Sequence, residues 1–310
     1  MMKIYISLLV ASIAFLASSG VPANGDESSA VRREALLHSY GTYSGELRTP
    51  EGRKDHVRLL NELGDMHANT YNYLISRADT DWEDLRSFLP LAKDRGIRVW
   101  VTLLPPSESS PKTKHNSEPY RLDYEKWATE LADLSTRESA LVAWSVDDFA
   151  YNLKTFTPEQ MRKIIAAQRA KNPKFAFVPC VYFKQATPSF AKDYREFLDG
   201  ILFPYRSEST TAGFNDTKSV VSEVKSLKDH FGQDFPIIVD IYATRHSRLG
   251  ASTPEYVEQV MNLAYPVADG VHIYCHQNKL DPTQRLKYEI IQRVMSSWNG
   301  PAIESAHKSK

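Results

Sequence analysis

Pro236-Ile237-Ile238-Val239-Asp240-Ile241-Tyr242-Ala243 is an apolar run broken by a single carboxylate. A strand with apolar residues on both faces belongs in a parallel sheet covered by helices on at least one side. Similar short runs occupy Ala35–Tyr43, Ala68–Leu74, Ile97–Leu104, Leu141–Phe149, Phe175–Phe183, Gly200–Arg206 and Gly270–Gln277. Amphipathic segments with helix start signals separate them. Thr157-Pro158-Glu159-Gln160 is a capping box with Pro in the first turn, and Thr187-Pro188, Thr253-Pro254 and Asp281-Pro282 repeat the cap-then-Pro signal. Gly96 and Gly232 stand where helices end. Eight strand–helix units in one α/β chain predict a single closed (β/α)8 TIM barrel. A doubly wound nucleotide-binding sheet fits less well, because Ser39-Tyr40-Gly41-Thr42-Tyr43 lacks the G-x-G-x-x-G spacing.

The whole-chain figures agree with this reading. The 310 residues carry 38 Lys+Arg against 38 Asp+Glu, with 42% hydrophobic residues, so the chain is of globular type and not disordered. Zero net charge supplies no field for nucleic acid. Met1 to Ala23 has the pattern of a signal peptide: Lys3, an apolar Ile4–Ala17 stretch, and Val21-Pro22-Ala23 before the cut. The expected organisation is a leader at 1–23, the barrel at 31–299 and a tail at 300–310. The protein is then secreted or periplasmic, with no stable membrane anchor after cleavage. Two cysteines, Cys180 and Cys275, fall three strands apart, too far for a disulfide, and Cys275 is expected to face the helix layer.

Alternation along each strand separates barrel-facing from helix-facing side chains. It places Ile238, Asp240 and Tyr242 inward on the seventh strand, and His272, Tyr274 and His276 inward on the eighth. Ala143, Ser145 and Asp147 point inward on the fourth, Trp100 and Thr102 on the third, and His38 and Tyr40 on the first. The second strand is ambiguous between Asn72 and the Asn69, Tyr71, Tyr73 set. Inward carboxylates at strand C-terminal ends are costly in a core and lie on the face where barrel enzymes work. Asp147, Asp148 and Asp240 are therefore the candidate catalytic groups. Paired acids across a barrel mouth suit glycosidic bond cleavage: one gives a proton to the leaving oxygen, the other attacks the anomeric carbon or activates water. Substrate contacts are expected from Tyr40, Asn72, Trp100, Tyr182, Tyr205, Arg206, Glu208, Tyr242, Arg245, His246, His272, Tyr274, His276 and Gln277. The long connection Pro105–Arg121, with no periodicity, follows the third strand and is a further functional candidate.

Ala143-Trp144-Ser145-Val146-Asp147-Asp148-Phe149 and Ile238-Val239-Asp240-Ile241-Tyr242 resemble the ends of the fourth and seventh strands in (β/α)8 glycoside hydrolases. The resemblance spans the mature chain at the level of architecture and implies a glycan or oligosaccharide substrate. It also implies Asp147 or Asp148 as acid/base, with Asp240 as partner. The largest group of such enzymes has Glu at both places, with Asn before the first. Here both are Asp, and the chitinase-type D-x-x-D-x-D-x-E pattern is absent. The shorter side chains imply a wider gap and inversion. No cofactor and no metal is expected. Three readings compete: a metal-dependent hydrolase or isomerase using Asp147, Asp148, Asp240, His272 and His276; a non-catalytic carbohydrate-binding barrel; and a polysaccharide lyase using Tyr242, Arg245 and His246, or Tyr205 and Arg206.

Overall fold

The computed structural model describes residues 24–43, 47–275 and 282–298. Eight parallel strands form one sheet: β1 (Ser39–Tyr43), β2 (Thr70–Ile75), β3 (Arg98–Leu103), β4 (Leu141–Val146), β5 (Ala176–Phe177), β6 (Ile201–Pro204), β7 (Ile237–Tyr242) and, after a two-residue hairpin pair β8 (Arg245–His246) and β9 (Gly250–Ala251), β10 (Gly270–Tyr274). Their order is β5-β4-β3-β2-β1-β10-β7-β6. The two ends of that order meet. Val181 N–H donates to the Leu202 carbonyl at 2.9 Å, and Leu202 N–H to the Pro179 carbonyl at 3.0 Å. The sheet thus curls into a (β/α)8-like barrel, as the alternation predicts.

The α-helices are α1 (Asn24–Glu34), α2 (His56–Asp65), α3 (Asp81–Asp94), α4 (Tyr124–Ser135), α5 (Pro158–Lys171), α6 (Pro188–Tyr194), α7 (Ser219–Phe231), α8 (Pro254–Ala264) and α9 (Pro282–Trp298), with short 3-10 turns at Phe149–Asn152, Arg195–Phe197 and Gly213–Asn215. The Thr-Pro starts behave as expected: Thr157, Thr187 and Thr253 accept bonds from the N–H groups of Gln160, Phe190 and Tyr256. Gly96 and Gly232 have φ of 67° and 108° just past α3 and α7, conformations a side chain would strain. Among the described residues no helix is long and apolar enough to cross a membrane. The leader proposed for residues 1–23, the tail at 300–310 and Asp281 lie outside the described residues.

Several strands are shorter than the apolar runs suggest, for local reasons. Pro179 and Pro204 bring no N–H of their own, although Cys180 N–H still donates to the Val146 carbonyl and Tyr205 N–H to the Asp240 carbonyl beyond them. The fourth run stops at Val146 because Asp148 turns into the left-handed region at φ 44°. The eighth stops at Tyr274, with Cys275 at φ 50°. Alternation therefore does not extend to Cys275, whose thiol is pushed up to about 12 by burial and then by Asp240. Both cysteines are free, as expected.

Two cores divide the apolar residues. Outside the sheet, Val239, Ile241, Val271, Ile273, Trp144 and Val146 pack against the helices. Inside, Trp100, Ala143, Ala176, Val178, Leu202 and Ile238 fill the barrel, with Leu36 among them at one end and Tyr43 at the other. Complete burial of side chains of this size stabilises by about 1.5–3 kcal/mol each. The expectation for β1 fails here. Tyr40 faces the helices, its ring 5.6 Å from Tyr265 and 5.1 Å from Trp298. His38 is exposed ahead of the strand at φ 52°. The inward residues are Ser39, Gly41 and Tyr43, and Gly41 lies so close to β2 that a Cβ there would meet the Thr70 carbonyl oxygen. On β2, Asn72 is the inward residue, while Tyr71 and Tyr73 pack on Phe88 of α3.

Candidate functional site

A cavity of about 400 Å³ opens at the C-terminal ends of the strands. Its acidic wall comes from three elements. Asp147 and Asp148 follow β4, Asp240 lies near the end of β7, and Glu108 arrives on the long connection after β3. That connection is fastened. Ser117 Oγ donates to the Ile75 carbonyl at 2.7 Å and accepts from Leu104 N–H at 2.9 Å. Asn152 bridges it to the β4 turn, accepting from Ser107 N–H at 3.1 Å and donating to the Asp148 carbonyl at 2.9 Å. Glu108 was not among the residues that the sequence reading selects. Its signal was the length of the connection, which identified the segment but not the side chain.

Three of these carboxyl groups, Asp147, Glu108 and Asp240, bind a proton more tightly than usual, and to different degrees. Burial and the nearby Asp148 raise Asp147 to about 6, while bonds from Tyr43 and from the Asp148 backbone pull the other way. Tyr43 Oη donates to Asp147 Oδ2 at 2.9 Å, and Asp148 N–H to Asp147 Oδ1 at 2.9 Å. Glu108 is raised to about 7, by burial and then by Asp147 and Asp148. Asp240 is 2% exposed, and burial followed by Asp147 pushes it well above the usual carboxylate range. Its Oδ1 has no hydrogen-bond partner, consistent with a protonated group waiting for one. The arrangement therefore combines a carboxyl raised to about 6, ionised at neutral pH, with one raised well above the carboxylate range that keeps its proton, the division of labour that acid/base chemistry needs.

Aromatic rings form the rest of the floor and one side. Tyr274 lies 5.3 Å from Tyr43 and 5.0 Å from Tyr242, centroid to centroid, and Tyr151 lies 5.5 Å from Tyr182. Tyr43 and Tyr151 are further lining residues that the sequence reading missed; the first was hidden by the wrong phase for β1. Opposite stand cations. Arg206 lies over the Tyr182 ring at 3.9 Å and pairs with Glu208. Arg245, His246 and Arg248 reach the cavity from the hairpin after β7.

Of the expected contact residues, Tyr182, Arg206, Tyr242, Arg245, His246 and Tyr274 line the cavity together with Asp147, Asp148 and Asp240. Glu208 stands behind Arg206 instead of lining the wall. Tyr40 and Tyr205 belong to the helix layer; Tyr205 stacks on Tyr256 at 6.3 Å and donates to the Asp216 carbonyl. Trp100, His272 and Asn72 are inward but sealed below the cavity. The Trp100 and His272 rings are 4.6 Å apart, and Asn72 accepts from Thr102. Burial holds His272 neutral, at about 3, with neither ring nitrogen hydrogen-bonded, so it reaches neither substrate nor metal in this cavity. His276 and Gln277 lie outside the described residues.

Asp147, Asp148 and Cys180 each bring one ligand atom to within 4.8 Å of the others. Two carboxylates and a thiol offer a cation three donors, and burial raises the Cys180 thiol well above its ordinary value, so a cation bound there would displace its proton.

No family model matches the chain, and no curated protein matches it in sequence. Solved structures do match in shape. A β-D-glucuronidase from Dictyoglomus thermophilum superimposes at TM-score 0.56 with 16% identity, over 84% of this chain and 50% of that one. A GH113 β-1,4-mannanase gives 0.59 with 10% identity, over 84% and 99%. A GH5_18 variant from Streptomyces cattleya, in complex with Manb1-4GlcNAc, gives 0.60 with 12% identity, over 85% and 81%. The fold is that of the glycoside-hydrolase barrels. The chain spans half or less of the glucuronidases it matches and most of the mannanase and GH5_18 chains. At these identities the likeness concerns the fold, and the chemistry must be argued from the cavity.

Proposed function

We propose that the protein is a carbohydrate-active enzyme that hydrolyses glycosidic bonds in a glycan, with Asp147 and Asp240 as the working pair. The observation that carries this reading is the set of carboxyl groups with divergent proton affinities at the mouth of a barrel whose structural neighbours include a glucuronidase and a mannanase. Asp147, ionised above about pH 6 and accepting from Tyr43, activates water or attacks the anomeric carbon. Asp240, neutral, gives its proton to the leaving oxygen. Asp148 raises the proton affinity of Asp147 and fixes it through its backbone N–H. The tyrosine faces offer flat surfaces for sugar rings.

A second assignment of the proton donor is favoured by one feature. Glu108, at about 7, is poised to exchange a proton near neutral pH and comes from a loop at the rim, whereas Asp240 is deep. Asp240→Asn and Glu108→Gln separate the two: the true donor's variant loses activity on glycosides with poor leaving groups and keeps it on those with activated aryl leaving groups. Inversion at the anomeric carbon is the expected outcome, since Asp side chains reach less far than Glu. Export is proposed from the pattern of residues 1–23, and N-terminal sequencing of the mature protein should begin near Asn24.

The experiment that tests the function is release of reducing ends from plant, algal and microbial glycans. Hydrolysis unaffected by EDTA supports the paired-acid reading. An unsaturated product absorbing in the ultraviolet would replace it with a lyase. Loss on chelation with rescue by one ion would replace it with a metal enzyme.

A further inference from the structure

The cavity is electrically divided. Glu108, Asp147 and Asp148 reach it from the connection after β3 and the end of β4, while the loops after β6 and β7 bring Arg206, Arg245, His246 and Arg248 from the other side, with Asp240 buried in β7 below them. Zero net charge over the chain hides this separation entirely.

The cationic side is built, not merely crowded. The side chain of Arg206 is 12% exposed, and its guanidinium is fixed between the Tyr182 ring and Glu208. Glu208 is itself held by the Lys184 N–H at 2.9 Å. Arg245 and Arg248 are exposed at the mouth, and no carboxylate among the described residues pairs with either. Their charges are left over after Glu208 has answered Arg206.

His246 adds an independent sign. Its Nδ1 accepts from the backbone N–H groups of Arg248 at 3.0 Å and Leu249 at 3.2 Å. Burial, then Arg206 and Arg248, lower its proton affinity against the opposing pull of Asp148, so the ring is neutral and carries one hydrogen. With Nδ1 accepting, that hydrogen sits on Nε2. Nε2 lies 3.3 Å from Arg206 Nη1, which is also a donor. Two donors thus meet without an acceptor between them, a contact that an oxyanion seated beside both would relieve.

We propose that this side of the cavity is an anion subsite, and that the substrate is an acidic glycan whose carboxylate or sulfate group lies against Arg206, His246, Arg245 and Arg248. The inference rests on the glycan reading above and narrows it to a substrate class. The acids repel such a group, and the cations attract it, so the charge fixes which way the sugar lies. Its glycosidic bond is then presented to Asp147 and Asp240, while its anionic substituent points away from Asp147. Carboxylate and sulfate share the chemistry, and the probes distinguish them.

Binding should be measured calorimetrically with the full chain and five probes. Methyl glucuronide, methyl galacturonide and glucose 6-sulfate are the anions; methyl glucoside and methyl galactoside are their neutral counterparts. At low salt at least one anion is expected to bind about tenfold or more tighter than its neutral counterpart, and the margin should shrink in about 0.5 M salt. A preference for the uronides identifies the group as a carboxylate, and a preference for the sulfate identifies it as a sulfate ester. The double variant Arg245→Gln/Arg248→Gln, at exposed positions and with an unchanged melting curve, should reduce the preference severalfold. Equal affinities for anionic and neutral sugars, no binding of any anion, or a preference undiminished in the double variant would overturn the proposal. An anion preference without hydrolysis would leave the subsite standing and remove the glycosidase reading. Hydrolysis of neutral glycans with no anion preference would do the reverse.

Discussion

Tyr43 makes the clearest single contribution to the chemistry of the cavity. Its hydroxyl donates to Asp147 at 2.9 Å, and that bond opposes the upward pull of burial and of Asp148 on the same carboxyl. A hydrogen bond to the charged form lowers a carboxylate's pKa, so removing it should raise the value from its present level of about 6. In a reaction that needs Asp147 ionised, kcat/KM falls as pH drops through that pKa. Tyr43→Phe keeps the ring against Tyr274 and deletes only the donor. The acid limb of its pH profile should therefore move to higher pH, with activity at high pH reduced much less. An unmoved acid limb would show that Asp147 is not the group whose ionisation is required. At this scale the carboxylates of β4 and β7 were legible because strand alternation forces them inward. Tyr43 was not, because β1 begins at Ser39 and three inward positions, Ser39, Gly41 and Tyr43, include two with little or no side chain to mark the phase.

At the scale of elements, the barrel is positioned by close approach as much as by apolar burial. A Cβ on Gly41 would stand 2.4 Å from the Thr70 carbonyl oxygen on β2, and the obstacle is backbone that has no rotamer to change. Gly41→Ala should therefore push β1 from β2 and cost about 1–3 kcal/mol, measured by chemical denaturation. A variant as stable as the parent would mean that the two strands are looser than this contact implies. Helix starts were readable because Thr-Pro pairs combine a side-chain acceptor with a fixed φ. Helix α1 was not, since Asn24–Glu34 is mostly polar with no apolar stripe. It is held by tertiary partners: Arg32 pairs with Asp199 at 2.7 Å and donates to the Pro173 carbonyl, and Leu36 beyond it enters the barrel interior. Contacts of that kind, between residues 167 apart in the chain, leave no local trace. Glu108 escaped for a related reason. Its connection was visible as a long segment without periodicity, but Ser117 and Asn152, which bind it to the strands, decide which side chain reaches the cavity.

For the molecule as a whole, the balance of 38 basic and 38 acidic residues proves less informative than their placement. One cavity at the C-terminal mouth gathers acids with unequal proton affinities, tyrosine faces and a cationic edge. Among the described residues, the barrel interior from Leu36 to the Trp100–His272 pair is filled by buried side chains. The polar residues expected to contact substrate from lower in the barrel, Asn72, Trp100 and His272, serve as its plug. A single function located at that mouth is the central claim, and Asp147 is its hinge. The most direct measurement is kcat/KM of Asp147→Asn against the parent chain on a glycan that the parent cleaves. A fall of about 10²-fold or more, with the melting temperature retained, is the predicted result. Activity equal to the parent's would contradict the account.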